Sequence, residues 1–260
     1  LAHHLKKYGS VEVFTSQPSY AFDRDDSPRK EIHDTLTIRR SEAAKFCPDR
    51  IRGKAVAGAI FFIRTALHLL RHSRSQGVVL LTTAPPFLPL LGYFLSRIRQ
   101  IRYVCLLYDL YPDIAIELGV IKKHHWIARL WDYFNCLTWK NAEAIIVLSD
   151  TMKDRIIAKQ PGIDAKIAVI PNWADLKQIV PIPKQDNWFA QEHDLVEPFT
   201  VLYSGNMGRC HDMDTLFDAI ILLRDLPNIR FVFIGSGDKR KQFMDRVAEL
   251  GLTNCLFLPY

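Results

Sequence analysis

The chain has 260 residues, 48% hydrophobic and 24% charged, which excludes a disordered or fibrous polypeptide and allows one large core or two ordinary ones. Its 34 Lys and Arg outnumber 28 Asp and Glu, so the net charge is +6 and an anionic partner is expected. No basic run interleaved with aromatics appears, so nucleic acid is not expected among the partners. The cysteines (Cys47, Cys105, Cys136, Cys210 and Cys255) are scattered without a C-x-x-C pair and read as reduced thiols in a cytoplasm.

Leu1 to Gly9 reads as the end of a helix with Gly9 as its C-cap. With no initiator Met, no strand before that helix and a last strand just begun, the sequence reads as an internal piece of a longer protein. Val11 to Thr15 is a short strand, and Ser16 to Arg29 is turn-rich. Residues 30–50 are charged, with Thr35 to Arg39 a short strand. From Ile51 to Arg74 the apolar residues Ala55, Ala59, Phe62, Leu67 and Leu70 recur near helical spacing. Arg52, Lys54, Arg71 and Arg74 bracket that helix. Two readings stand side by side: a core-facing helix with solvated basic ends, or a basic amphipathic surface in peripheral contact with anionic membrane.

Val78 to Thr82 is a buried strand, followed by Thr83-Ala84-Pro85-Pro86 and an apolar helix from Phe87 to Ile98. The uncharged run from Ser75 to Ser96 has the length of a membrane span, but adjacent prolines and a glycine break it. Strand plus buried helix is the expectation. Arg102 to Tyr108 is the next strand and delivers Asp109-Leu-Tyr-Pro-Asp113 at its carboxyl end. A helix from Trp126 to Lys140, a strand from Ala144 to Leu148, a helix from Thr151 capped by Asp150, and a strand from Lys166 to Ile170 complete this half. Residues 177–198 lose periodicity, hold three prolines and read as a linker. The expected division is therefore 1–176, a linker at 177–198, and 199–260, with a cleft between the carboxyl ends of both sheets.

The second half repeats one arrangement. Phe199 to Tyr203 is a strand running into Ser204-Gly-Asn-Met-Gly208, then a helix from Met213. Ile229 to Ile234 is again a strand, ending in Gly235-Ser-Gly237, before a helix from Lys239; Cys255 opens a third strand. Glycines between strand and helix let the backbone approach a ligand, and the helix N-terminus beyond them suits a phosphate. The spacing lacks G-x-G-x-x-G and an acidic ribose ligand, so a nucleoside diphosphate fits better than NAD.

Taken together, these pieces resemble glycosyltransferase family 4, whose members have the two-Rossmann-domain GT-B fold. The segments that carry the resemblance are His4 to Gly9 before Val13 to Pro18, Thr82 to Pro86, Tyr108 to Asp113, and Ile145 to Ser149 before Met152 to Arg155. Val169 to Trp173, Tyr203 to Gly208 and Phe233 to Gly237 complete the set, which covers nearly the whole chain. The flavour is that of exopolysaccharide and O-antigen amino-sugar transferases. The resemblance implies an α/β fold of two Rossmann-like domains, the C-terminal one incomplete. The family's opening strand with its Gly-rich loop and its Glu-x7-Glu motif do not occur in this stretch.

What the resemblance implies about activity is a retaining, metal-independent transfer of a sugar from a UDP- or GDP-sugar to a lipid-linked or glycan acceptor. The work would be done on the inner face of the cytoplasmic membrane, with no further cofactor. Tyr108 and Asp109 take the catalytic positions, and Thr83, Pro86 and Asp113 border the acceptor. Gly205, Asn206, Gly208, Arg209, His211, Gly235, Gly237 and Lys239 would hold the donor. Asn206 and His211 stand where many members have Arg and Lys, so the turn amides and Arg209 would carry more of the diphosphate charge. Tyr108 stands where many have His, and a phenol is a poor acid–base at neutral pH. Two alternatives remain at this point: a nucleotide-sugar 2-epimerase of the same architecture, and a non-catalytic membrane-associated subunit.

Overall fold

The computed structural model describes residues 1–17, 27–42, 51–72, 77–208 and 211–259. Arg209, Arg74, Cys47 and Cys210 therefore lie outside the described residues, as do the side chains of Arg52, Lys54 and Ala55. The chain divides into two compact units, Leu1–Asn172 and Trp173–Tyr260.

The first unit opens with a short helix, α1 (Ala2–Leu5), that ends at a right-handed Lys6 and not at Gly9. Strands β1 (Val11–Ser16), β2 (Lys30–His33) and β3 (Leu36–Ser41) form one sheet in the order β1-β3-β2, with β1 and β3 parallel and β2 antiparallel. β2 has no apolar signature to read, because Lys30, Glu31 and His33 make it a charged edge strand. Helix α2 (Ile51–His72) follows. Its Phe61, Phe62, Ala66, Leu69 and Leu70 pack against the core of the unit, which supports the core-facing reading for that face.

Strands β4 (Val78–Thr82), β5 (Arg102–Leu107), β6 (Ala144–Val147) and β7 (Ile167–Val169) form a parallel sheet in sequence order. Parallel strands are covered on both faces, which is why they appear in the sequence as near-continuous apolar runs. Between them lie α3 (Leu88–Arg99), the short α4 (Asp113–Glu117), α5 (Trp126–Asn141) and α6 (Asp150–Lys159). The cap of α6 is Ser149, whose Oγ accepts from the Met152 amide at 3.3 Å. Asp150 is the first helical residue, where its charge still suits the positive end of the dipole.

Leu81, Leu91, Leu95, Tyr103, Cys105, Ile145 and Ile156 fill the centre of this unit. Gly92 sets how closely α3 sits on the sheet: a Cβ there would collide with the Tyr103 ring. The Tyr103 hydroxyl donates to the Thr138 carbonyl at 2.6 Å, and burial pushes its phenol far above the usual range.

In the second unit, β8 (Phe199–Ser204), β9 (Ile229–Ile234) and β10 (Cys255–Leu258) form a parallel sheet in the order β10-β9-β8. Helix α7 (Trp188–Glu192) precedes that sheet, and α8 (Asp214–Leu222) and α9 (Arg240–Glu249) alternate with its strands. Residues 177–198 contain more order than a plain linker: α7 contributes Ala190, which clusters with Leu195 and with Val232 of β9. The other face of the sheet is covered by Met213, Phe217, Ile220 and Phe243. Arg246 of α9 lies 3.7 Å from the centre of the Phe217 ring and 2.5 Å from the Asp214 carboxylate, tying α8 to α9.

Candidate active site

β8 and β9 lie in register, Ser204 beside Ile234, so the glycine turns that follow them leave the sheet at one end. Backbone bonds lock the turns together. Gly205 N–H donates to the Ile234 carbonyl at 2.9 Å, Met207 N–H to Ser236 at 2.7 Å, and Lys239 N–H to Met207 at 3.0 Å. Gly237 has φ +133°, and a Cβ on it would stand 2.5 Å from the Met207 carbonyl oxygen and 2.6 Å from Asn206 Oδ1. Only glycine fits there. Gly205 and Gly235 also have positive φ, at +155° and +131°.

Side chains brace the same turns. The Tyr203 hydroxyl donates to the Asn206 carbonyl at 3.0 Å and also meets His211 Nδ1, while Lys239 Nζ donates to the His211 carbonyl at 2.6 Å. Gly208 N–H closes a tight turn onto the Asn206 carbonyl at 2.8 Å. Gly205, Asn206, Gly208, His211, Gly235, Gly237 and Lys239 thus come together, with Arg209 outside the described residues. Sequence reasoning missed Met207 and Ser236, whose roles run through backbone atoms, and Tyr203, whose hydroxyl reaches the Asn206 carbonyl.

It also missed Asp212. That carboxylate accepts from the Asp214 amide at 3.1 Å, the Thr215 amide at 3.3 Å and the Thr215 hydroxyl at 2.6 Å. The Thr215 hydroxyl, then its amide, hold the Asp212 carboxyl below the usual carboxylate range. The first amides of α8 therefore serve the chain's own carboxylate, whereas the sequence suggested them for a phosphate. Asp followed by Asp and Thr at cap spacing was the readable signal.

In the first unit, β4 and β5 run side by side, Thr82 beside Leu106, and deliver the other predicted residues to one end. Thr83 is buried, and its Oγ1 accepts from the Tyr108 and Asp109 amides at 3.2 and 3.3 Å. Thr83 therefore positions that turn, while Tyr108 and Asp109 present exposed side chains. Pro86 is half-buried beside them in chain order. Asp113 turns elsewhere: its carboxylate pairs with Lys159 and stands 3.7 Å from Arg155, while Lys159 also bonds Asp132 at 2.8 Å. Burial opposes the Lys159 charge, but the bonds to Asp113 and Asp132 prevail and raise its pKa. Asp113 acts as a strut between α4 and α6 in this geometry.

A cavity of about 390 Å³ in the first unit is lined by Phe14, Arg40, Ser41, Arg64, His68 and Arg71 among others. Two of its cations have partners: Arg40 pairs with Glu31, and Arg64 bonds the Ser41 hydroxyl and the Glu42 carbonyl. Among the described residues no group of three His, Cys, Asp or Glu could hold a metal ion, and no helix is long and apolar enough to cross a membrane.

Parallel sheets flanked by helices, with glycine turns at the carboxyl ends of the strands, define the α/β class of GT-B glycosyltransferases. Solved structures share that fold. Sucrose-phosphate synthase from Thermosynechococcus elongatus superposes with a TM-score of 0.69 at 15% identity, covering 99% of this chain and 62% of that one. WaaG, a glycosyltransferase involved in lipopolysaccharide biosynthesis, gives 0.59 at 14%, covering 99% and 64%. HepE from Anabaena, bound to UDP and glucose, gives 0.58 at 16%, covering 86% and 56%. Residues 1–173 match the glycosyl transferase 4-like domain, and the chain belongs to that family.

Among curated proteins it is 25% identical over 193 residues to WbjE of Pseudomonas aeruginosa, named as a probable glycosyltransferase, covering 73% of this chain and 47% of the relative. It is 26% identical over 204 residues to WcaI of Escherichia coli (strain K12), named as a putative colanic acid biosynthesis glycosyl transferase, covering 76% and 48%. The chain spans about half the length of the curated relatives it matches.

Proposed function

We propose that the protein transfers a sugar from a nucleoside-diphosphate donor to a lipid-linked glycan during assembly of a surface polysaccharide. The observation that carries this reading is the interlocked pair of glycine turns in the second unit, whose backbone has open space beside it at Gly205. Structural relatives holding UDP and glucose support the donor class.

In this reading Lys239 and Arg209 face the donor diphosphate, and backbone amides of the turns add dipoles that strengthen as charge develops on the leaving group. The Lys239 ammonium is already oriented by its bond to the His211 carbonyl. The acceptor hydroxyl lies against Tyr108 and Asp109, held in place through Thr83. Tyr108 donates a hydrogen bond, and Asp109 orients the nucleophile. The departing phosphate takes the acceptor proton, so transfer proceeds with retention and without a metal ion. An amino sugar is the expected cargo, and the inner face of the cytoplasmic membrane the expected place of work.

The test is incubation of the full-length protein with radiolabelled UDP- and GDP-sugars and a membrane lipid extract. Label passing into the lipid fraction with the wild type, and not with Asp109→Asn, supports the reading. Label that never leaves the nucleotide rejects it.

A further inference from the structure

The cavity of about 390 Å³ in the first unit has two walls. One is formed toward the carboxyl ends of β1 and β3, by Phe14, Arg40 and Ser41. In α/β folds that end of a parallel sheet is where ligands are received. The other wall is α2, on which Arg64, His68 and Arg71 follow at spacings of four and three and so share one face. Ring stacking fixes the join between the walls. His68 lies 4.3 Å from Phe14 and 4.4 Å from His72, nearly parallel to both, and His72 Nδ1 donates to the His68 carbonyl at 3.0 Å. A wall held in this way loses little further freedom when a ligand enters.

The carboxylates around the cavity are already engaged. Glu31 pairs with Arg40 and Glu42 with Arg29, while Glu12 takes Arg39 at 2.7 Å and His68 at 3.1 Å. Among the described residues Arg64 donates only to neutral oxygens, the Ser41 hydroxyl at 3.2 Å and the Glu42 carbonyl at 2.5 Å. The Arg71 side chain has no hydrogen bond or ion pair among the described residues. Two guanidinium charges without a described carboxylate partner therefore stand two helical turns apart, about 10 Å along one face of α2. A guanidinium fork matches phosphate oxygens in pairs, and a cavity of this size admits a small phosphorylated molecule.

We propose that this cavity is an anion site for a phosphate-bearing small molecule, with the phosphate held between Arg64 and Arg71. Leu67, 45% exposed on the same lining, offers the rest of the ligand an apolar contact. The site belongs to the first unit, whereas the glycine turns belong to the second, so it stands whether or not those turns hold a nucleotide. An occupant recognised by the folded chain alone stabilises the unit in proportion to its concentration.

Calorimetric titration of the full-length protein at constant ionic strength tests this with inorganic pyrophosphate, glucose 1-phosphate and, as a carboxylate of similar size, glucuronate. Binding of a phosphate compound is expected, together with a rise in melting temperature. Arg71→Gln removes one charge-assisted bond at an exposed position and should weaken binding about tenfold or more. Arg71→Lys should restore part of the loss. Arg97→Gln on the exposed side of α3 and Lys239→Met at the glycine turns should leave this binding unchanged. Circular dichroism melts would confirm that each variant folds. Tighter binding of glucose 1-phosphate than of pyrophosphate supports a sugar phosphate as the ligand, and the reverse order supports a bare diphosphate. Binding lost in Lys239→Met and kept in Arg71→Gln would place the anion at the glycine turns and overturn the proposal. Equal weakening by Arg97→Gln, binding of glucuronate alone, or no binding at all would also overturn it.

Discussion

Gly237 and Met207 approach so closely that a single added methyl carbon on Gly237 would lie 2.5 Å from the Met207 carbonyl oxygen. Met207 is fully buried, and its carbonyl also accepts from the Lys239 amide, so it has no room to retreat. Gly237→Ala should therefore part the turns. Strain at positive φ alone is of the order of 1–3 kcal/mol, and the clash adds to it. A urea melt should show that loss. Gly205→Ala, strained but facing open space, should lose less.

Thr83 offers a second test, because one hydroxyl serves two amides. Thr83→Val keeps the shape and leaves the Tyr108 and Asp109 amides without that acceptor, at about 1–3 kcal/mol. Thr83→Ser should restore both stability and transfer. Equal stability of Thr83→Val and wild type in chemical denaturation would contradict the assigned role.

The strut of Asp113, Lys159 and Asp132 should appear at alkaline pH. Lys159 has a raised pKa in the folded chain, so its contribution is complete below the ordinary lysine range of about 10.4 and is lost as pH rises through the folded value. Lys159→Met should cost about 2–3 kcal/mol at neutral pH, leaving two carboxylates without that partner. It should also flatten the alkaline limb of a thermal melting series.

Asp212 gives the acid counterpart. Its folded pKa is lowered, so its contribution is complete above the ordinary aspartate range of about 3.9 and is lost as pH falls through the folded value. Asp212→Asn keeps an acceptor for the amides of α8 and removes the titration. Its melting temperature should vary less with pH than that of the wild type at the acid end.

The strands could be read from the sequence because parallel strands buried on both faces are written as short apolar runs between glycines and prolines. Val78 to Thr82 carries that signature, and Ile229 to Ile234 carries it with Arg230 as the one charged residue. The glycine turns were legible for the same local reason. The side-chain ties were not. Asp113 meets Lys159 from 46 residues away, and Thr83 meets Tyr108 from 25. No local pattern records such pairings, so Asp113 read as an acceptor residue where the fold makes it a strut. Helix caps fell between these extremes: Ser149 and Asp150 both suit a helix start, and only backbone geometry separates cap from first turn.

Calorimetric titration of the full-length protein with UDP, GDP and NAD would decide whether the glycine turns hold a nucleoside diphosphate. UDP or GDP should bind, NAD should not, and Gly237→Ala or Lys239→Met should weaken binding of the nucleotide that binds. Failure of every nucleotide to bind, or equal binding by wild type and both variants, would contradict a donor site at the glycine turns.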